Sequence, residues 1–474
     1  MRPAPNSRSG PVPPASEGRS GPGYEDAEDA IVEGDRAVRP STARAALRHR
    51  PFTILWTGTF SSNIGTWMQN VALGALAFQL THSATFVALI GFAQLAPILL
   101  LAAVGGALAD TFDRRLLLVI TNAEQLVFSL VLAWVAFAPH PGRWPLFAAV
   151  LAVGVGNALS GPPLSSLLPS LVDRSEIPGA VSLFSAQINL SRVIGPAIGG
   201  VALPYVHAWG IFVINAATYL FAMAAALAVP KFPRREPTED TGMQRLVAGF
   251  SVARRDPLVR RLLGTITVFS FVCLPWLGLM PVIASVSLGL STRGIAYGLL
   301  YAAFGLGAAV GALAVGTVFA SVDLLRLSRV GLGAFAVLLA LFAVLRSAGP
   351  AYPIVLLLGG AYFTTTTGMV SALQEHLDDA VRGRVMALWM MGFGGTIPLG
   401  LLTFGKIADL LSASAHATPA TLTAVLGVGT IASAAMAASN VVGSPATGGT
   451  GRATGWLAQK RPKRTVSTAP TTRQ

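Results

Sequence analysis

From Phe52 onward the chain alternates long apolar runs with short polar breaks. Runs of about 20 apolar residues are long enough to cross a bilayer as helices. They fall at 52–80, 83–109, 115–138, 145–171, 179–205 and 209–230, then at 262–289, 294–320, 325–347, 352–374, 384–411 and 419–439. In lipid every backbone polar group must be paired internally, so runs of this length predict helices. The expected fold is an all-α polytopic membrane protein of about twelve transmembrane helices, numbered below as spans one to twelve.

Residues 231–261, "KFPRREPTEDTGMQRLVAGFSVARRDPLVRR", are the only long internal polar segment, and they divide the spans six and six. Sequence echoes support two pseudo-repeats. "GALAD" at 106–110 returns as "GALAV" at 311–315, an offset of 205, and Asp173 in "LVDRSEIPGAVSLF" aligns with Asp379 in "LDDAVRGRVMALW" at an offset of 206. Two six-helix halves in one orientation, with a cavity between them, suit alternating access. The expected organisation is an unstructured arm (1–50), a six-helix bundle (51–230), a central loop (231–261), a second bundle (262–440) and a basic unstructured tail (441–474).

Composition agrees: 53% of residues are hydrophobic and 12% charged, whereas soluble domains keep roughly a quarter charged. The net charge of +13 would suggest nucleic acid on a soluble fold, but its placement argues otherwise. Of 34 Lys and Arg, 29 fall in the arm, the tail and the loops on one side of the membrane, while the opposite loops hold only Arg143, Arg293 and Arg346. By the positive-inside rule both termini and the central loop are cytoplasmic, in a multi-pass protein of the plasma membrane. The bilayer is therefore the expected partner and nucleic acid is not. The first 50 residues contain no run able to serve as a cleavable signal. A lone cysteine, Cys273, permits neither an internal disulfide nor a cysteine metal site, and neither metal nor cofactor is expected.

Two motifs interrupt the apolar pattern. "GALADTFDRR" at 106–115 places four charges in the turn between spans two and three, and "SRVIGPAIGG" at 191–200 puts Gly195 and Gly199 on one helix face around the kink-favouring Pro196. On these residues the chain resembles the major facilitator superfamily. Gly106, Leu108, Ala109, Asp110, Arg114 and Arg115 match its G-x-L-A-D-x-x-x-R-R signature, and Gly195, Pro196, Gly199 and Gly200 match the G-P-x-x-G-G antiporter motif. The resemblance covers about residues 50–440, and "IGTWMQNVALGALAFQLTHSA" and "DDAVRGRVMALWMMG" point to the bacterial branch of macrolide and enterobactin exporters. It implies a gate in which Asp110 engages the end of a helix in the other half while Arg114 and Arg115 pair locally. The second-half copy has Val315 where the acid is expected, which makes any latch asymmetric.

Ionisable groups inside spans are costly and mark candidate sites. Glu124 and Arg192 lie well inside spans three and five, at depths that suit a mutual pair; Glu124 is a candidate for proton coupling and Arg192 for anion binding. Lys406 and Asp409 are spaced for a local i,i+3 pair. Asn63, Gln69, Asn70, Asn157, Gln187 and Asn189 are candidates to line a cavity, with helix-to-helix hydrogen bonds as the alternative. Trp276 and Trp389, with Trp67, Met280 and Met390, suit an amphipathic organic ligand or plain packing. Neither span one nor span four carries an acid, so the route of coupling stays open.

The resulting expectation is a monomeric secondary transporter that exports a small molecule, drug-like, siderophore or secondary metabolite, against a proton. Uptake of a small metabolite is the alternative. A membrane-embedded transferase fits less well, because the six histidines are scattered along the chain. No phosphate-cradling G-x-x-x-x-G-K-[ST] motif occurs, and an enzyme is not expected.

Overall fold

The computed structural model describes residues 40–230, 250–412 and 416–439. The expected arm, tail and central loop thus lie largely outside the described residues, as do the side chains of Asp110 and Asp379. Two pieces of those segments are described: Pro40–Ala46 forms a short helix that packs on Ile177–Ala228 and buries Ala46, and 250–255 are helical.

Among the described residues every regular element is helical. Ten segments are long and apolar enough to cross a membrane. One of them, Arg174–Ala228, has 55 residues and would extend about 80 Å if straight, far beyond the roughly 30 Å hydrocarbon core. It folds back at His207, whose φ of 57° and ψ of 177° are non-helical, and so supplies spans five and six. Arg50–Thr81, with 32 residues, supplies span one. Its polar side chains dilute its apolar character without shortening it. With these two, the described residues hold about as many spans as expected.

Several of the remaining helices begin where short polar side chains take the free N–H groups of a first turn. Ser83 caps span two (Ala84–Thr111), Asp113 caps span three (Arg114–Phe137), and Asp323 caps span nine (Leu324–Val344). Thr418 and Thr421 form a reciprocal capping box at span twelve (Pro419–Ala438). Span four is Arg143–Leu167, span eight Ile295–Gly316 and span ten Ala351–His376. Span eleven is divided at Gly395 into Asp379–Gly394 and Thr396–Leu410.

Span seven departs most from the single run expected at 262–289. A helix over Pro257–Val268 opens into a π turn at Phe269–Cys273 and continues as two short pieces, Pro275–Gly278 and Met280–Val286. Pro275 and Pro281 cannot donate backbone hydrogen bonds, so the ladder breaks there although hydrophobicity does not.

Packing repeats with a period of six spans. In the first half, span two packs on four, and three on four and six; in the second, eight packs on ten, and nine on ten and twelve. The halves join along two seams, span five against eight and span two against eleven. The five–eight seam is backbone on backbone: a Cβ on Gly200 would collide with Gly298, and one on Gly305 would collide with the Arg192 carbonyl. Large apolar side chains face outward, including Trp134, Leu100, Leu313 and Ile431, each at least 69% exposed. Around a membrane protein that surface meets lipid tails, where its exposure carries no hydrophobic cost.

Candidate functional site

The two ends of the bundle are built differently. At the end that carries most of the basic residues, the hydrogen bonds of Arg114, Arg115, His49 and His376, among the described residues, run within each half. Arg114 donates from Nε to the Ala109 carbonyl at 3.2 Å and from Nη1 to the Ser166 carbonyl at 3.5 Å, and Arg115 donates to the Leu227 carbonyl. The basic pair of the 2/3 turn is thus tied to spans four and six. Asp113 caps span three through the Arg115 N–H at 2.9 Å. The Asp110 side chain, expected to latch the other half, lies outside the described residues. Gly106 has open space where a Cβ would go; the glycine pressed against span four is its neighbour Gly105.

His–carboxylate pairs join elements of each half at this end. His49 Nε2 lies 2.7 Å from Glu176 Oε2 and 4.0 Å from Asp173, joining the start of span one to the 4/5 connection. His376 Nε2 lies 2.7 Å from Asp256 Oδ2, joining the end of span ten to the start of span seven. Asp256 also accepts from the N–H groups of Leu258 at 2.8 Å and Val259 at 3.1 Å. Burial alone would push its carboxyl up, but the His376 and backbone donors outweigh burial and hold it below the usual aspartate value.

The opposite end is clamped across the halves by Asp409 of span eleven. Its carboxylate accepts from Ser83 Oγ at 2.6 Å, Ala84 N at 3.1 Å, Thr85 N at 2.8 Å and Ala417 N at 3.0 Å. The first three donors belong to the N-terminus of span two, where backbone N–H groups and the helix dipole favour a negative charge. This corrects the expected local pair: Lys406 is exposed, while Asp409 is buried and turned toward the other half. Beside the clamp, Gln79 donates to Thr292 at 3.0 Å and accepts from Arg293 Nε at 2.8 Å, a further link from span one to the 7/8 connection. A cavity of about 490 Å³ opens at this end between Gln79, Leu203, His207 and Arg293.

Most amide candidates are used in packing. Gln69 is buried and accepts from Ser129 at 3.2 Å and Asn215 at 2.9 Å, Asn70 accepts from Gln94, and Gln187 donates to Thr59 at 3.1 Å. Asn63 and Asn157 stay half-buried. Trp276 is enclosed by Phe304 and Phe342 in the core of the second half, and Trp389 is buried as well, so neither ring presents a face to a central opening. The antiporter-like motif is a packing face: Gly195 and Gly199 lie against the Trp67–Met68 backbone of span one, and Gly200 against span eight, with Pro196 inside the helix.

Glu124 and Arg192 do not pair. Glu124 turns to span four, where only the missing side chain of Gly156 leaves room for its carboxylate, and its Oε2 is sealed without a hydrogen-bond partner. Arg192 points toward the other half, its Cζ 5.7 Å from the Trp67 ring of span one and 5.3 Å from the Phe363 ring of span ten. Sequence reading missed Phe363. Its partner is 171 positions away (363 − 192), and no local spacing signals such a contact.

A cation at the meeting of two related halves, with a clamp across them at the opposite end from most of the basic residues, suits a transporter, and comparison with known proteins agrees. Solved structures with the same fold include the nucleoside transporter NupG (TM-score 0.65, 12% identity, covering 82% of this chain and 98% of that one). A POT family transporter in complex with 5-aminolevulinic acid also matches (TM-score 0.63, 13% identity, 82% and 94%). Curated relatives include a staphyloferrin A transporter of Staphylococcus aureus, 27% identical over 365 residues that cover 75% of this chain and 89% of that one. An enterobactin exporter, EntS, of Escherichia coli is 28% identical over 352 residues (72% and 81%). Residues 41–443 match the family model of transmembrane secretion effectors, and the chain belongs to that family, a multi-pass membrane transporter of the major facilitator superfamily and not an enzyme.

Proposed function

We propose that the protein exports an iron-chelating siderophore or a related secondary metabolite or drug-like compound by proton-coupled alternating access. It works as a monomer in the plasma membrane, with its basic end and both termini in the cytoplasm. The observation that carries this reading is the similarity over nearly three quarters of the chain to two siderophore transporters, one of them an exporter. The charge distribution supports the orientation, in which the Asp409 clamp lies on the outer face. With that face held shut, substrate enters from the cytoplasm, and export requires the clamp to release and the basic end to close. Asp110 is the residue for the second closure, as the helix-end acid of the 2/3 turn. Glu124 is the acid lying within the first-half spans away from their ends. It carries the exchanged proton, since a carboxyl can cross an apolar region as a neutral acid.

The test is accumulation in everted membrane vesicles under an imposed proton gradient, with iron-free catecholate and carboxylate siderophores and a drug panel as cargo. Gradient-dependent accumulation of at least one cargo is expected, and accumulation of none across the panel overturns the export reading. Glu124→Gln should abolish the gradient dependence while leaving downhill exchange of labelled cargo intact. An unchanged pH profile removes Glu124 from coupling.

A further inference from the structure

Arg192 sits on the seam between the halves, and among the described residues no acid answers its charge. Its carbonyl abuts the bare backbone of Gly305 in span eight. Its guanidinium is flanked by Trp67 from one half and Phe363 from the other. Aromatic faces attract a cation through the ring quadrupole, but they leave the in-plane N–H groups free to donate. One of these reaches Asn189 Oδ1 at 3.5 Å, the long limit of a hydrogen bond, and Nε is sealed without a partner. Among the described residues no carboxylate forms an ion pair with it. Spans one, five, eight and ten, which surround it, carry no acid away from their ends, and Glu124 is turned to Gly156. A cation held this deep calls for an anion.

The surroundings also give access. Ser185, Asn189 and Arg192 follow at i, i+4 and i+7 on one helix face. Ser185 is exposed, and Asn189, Arg192, Trp67 and Phe363 are each partly so. The polar face is therefore not sealed off, while rings flank the guanidinium.

Resting on the export reading above, we infer that Arg192 recognises a negatively charged planar group of the transported molecule, a carboxylate or an ionised catechol. The arginine fork takes such a group through two parallel hydrogen bonds, and Trp67 and Phe363 give its aromatic or apolar body a surface to lie on. Because one ring comes from each half, the seated anion touches both, and its affinity differs between the states in which the halves part and close. The substrate class narrows accordingly to anionic compounds; neutral and cationic drugs are poor cargo.

The test uses two ligands of one shape, 2,3-dihydroxybenzoate and its uncharged amide, 2,3-dihydroxybenzamide. Each is titrated calorimetrically into the purified full chain in lipid nanodiscs. The wild type should prefer the benzoate by about tenfold or more, as a charge-assisted bidentate contact requires. Arg192→Gln should bind both ligands alike, and Arg192→Lys should keep a reduced preference because it retains charge without the planar fork. Trp67→Leu should weaken both ligands together. No benzoate binding by the wild type, no preference, or a preference retained by Arg192→Gln overturns the inference. If Arg192→Gln does not fold, an undiminished preference in Arg192→Lys overturns it equally. The two readings fail separately: intact preference with no vesicle accumulation removes export and leaves the anion site. Accumulation without preference removes the anion site and leaves export.

Discussion

Replacing Asp409 by alanine should open the end of the bundle opposite the basic one. The carboxylate receives three hydrogen bonds from the N-terminus of span two and one from Ala417, and all but the last cross between the halves. Hydrogen bonds to a charged acceptor contribute about 1.5–3 kcal/mol each, so three would sum to roughly 4.5–9 kcal/mol if nothing replaced them. Much is recovered, because the donors lie in a first helical turn where water can enter and because Ser83 also caps its own helix through the Phe86 N–H at 3.2 Å. Halving the lower bound leaves about 2 kcal/mol, a shift of about thirtyfold in the equilibrium between closed and open ends. Asp409→Asn keeps an acceptor and loses the charge, worth up to ~2 kcal/mol at a helix N-terminus, and should shift it by about tenfold. Spin labels on cysteines at His140 and Leu411, both exposed and one on each half, report the opening by pulsed electron resonance. The native Cys273 is buried and stays unlabelled. A longer-distance population should grow from wild type to Asn to Ala. A folded Asp409→Ala protein with the wild-type distance distribution refutes the argument that this carboxylate holds the halves together.

Other outcomes follow from the same structure. Gly200→Val pushes a side chain into Gly298; overpacking of this kind costs about 1–3 kcal/mol, so the melting temperature in detergent should fall and transport should be lost. Gly106→Ala, which meets no atom, should leave the melting temperature unchanged. Asp256→Asn should keep an Oδ1 acceptor for the Leu258 and Val259 N–H groups and lose the charged contact to His376, worth up to about 1 kcal/mol at a part-exposed site. The folded carboxyl lies below its ordinary value, so its contribution is complete above the unfolded value of about 3.9 and is lost as pH falls through the folded one. The gap in melting temperature between wild type and Asp256→Asn should therefore be full at neutral pH and narrow below about pH 4; a gap that widens in acid contradicts the assignment.

Span positions were legible in sequence because an apolar run of bilayer length has one structural solution, and the His207 reversal fell in the gap left between two such runs. The break in span seven was not, since Pro275 and Pro281 interrupt hydrogen bonding without lowering hydrophobicity. Polar side chains were harder to place. Asp409 reads locally as a partner for Lys406, yet its donors Ser83, Ala84 and Thr85 lie more than 320 positions away. Trp276 carries the chemistry of a ligand-stacking ring, and only packing shows that Phe304 and Phe342 already occupy its surroundings. Arg192 was legible as a costly charge, whereas the two rings that make it a site come from spans one and ten and appear only in three dimensions.

The glycine seam between spans five and eight lies off-centre, and a lever with its fulcrum near one end moves unequally. On span eight the seam runs from Gly298 to Gly305, leaving three residues before it from Ile295 and eleven beyond it to Gly316. At 1.5 Å per residue the short arm is about 4.5 Å and the long arm about 16 Å. A tilt of roughly 20° about the seam would then move the short arm by under ~2 Å and the long arm by nearly 6 Å. On the export reading, a tilt that parts the hydrogen bonds of the clamp would displace the basic end more than three times as far.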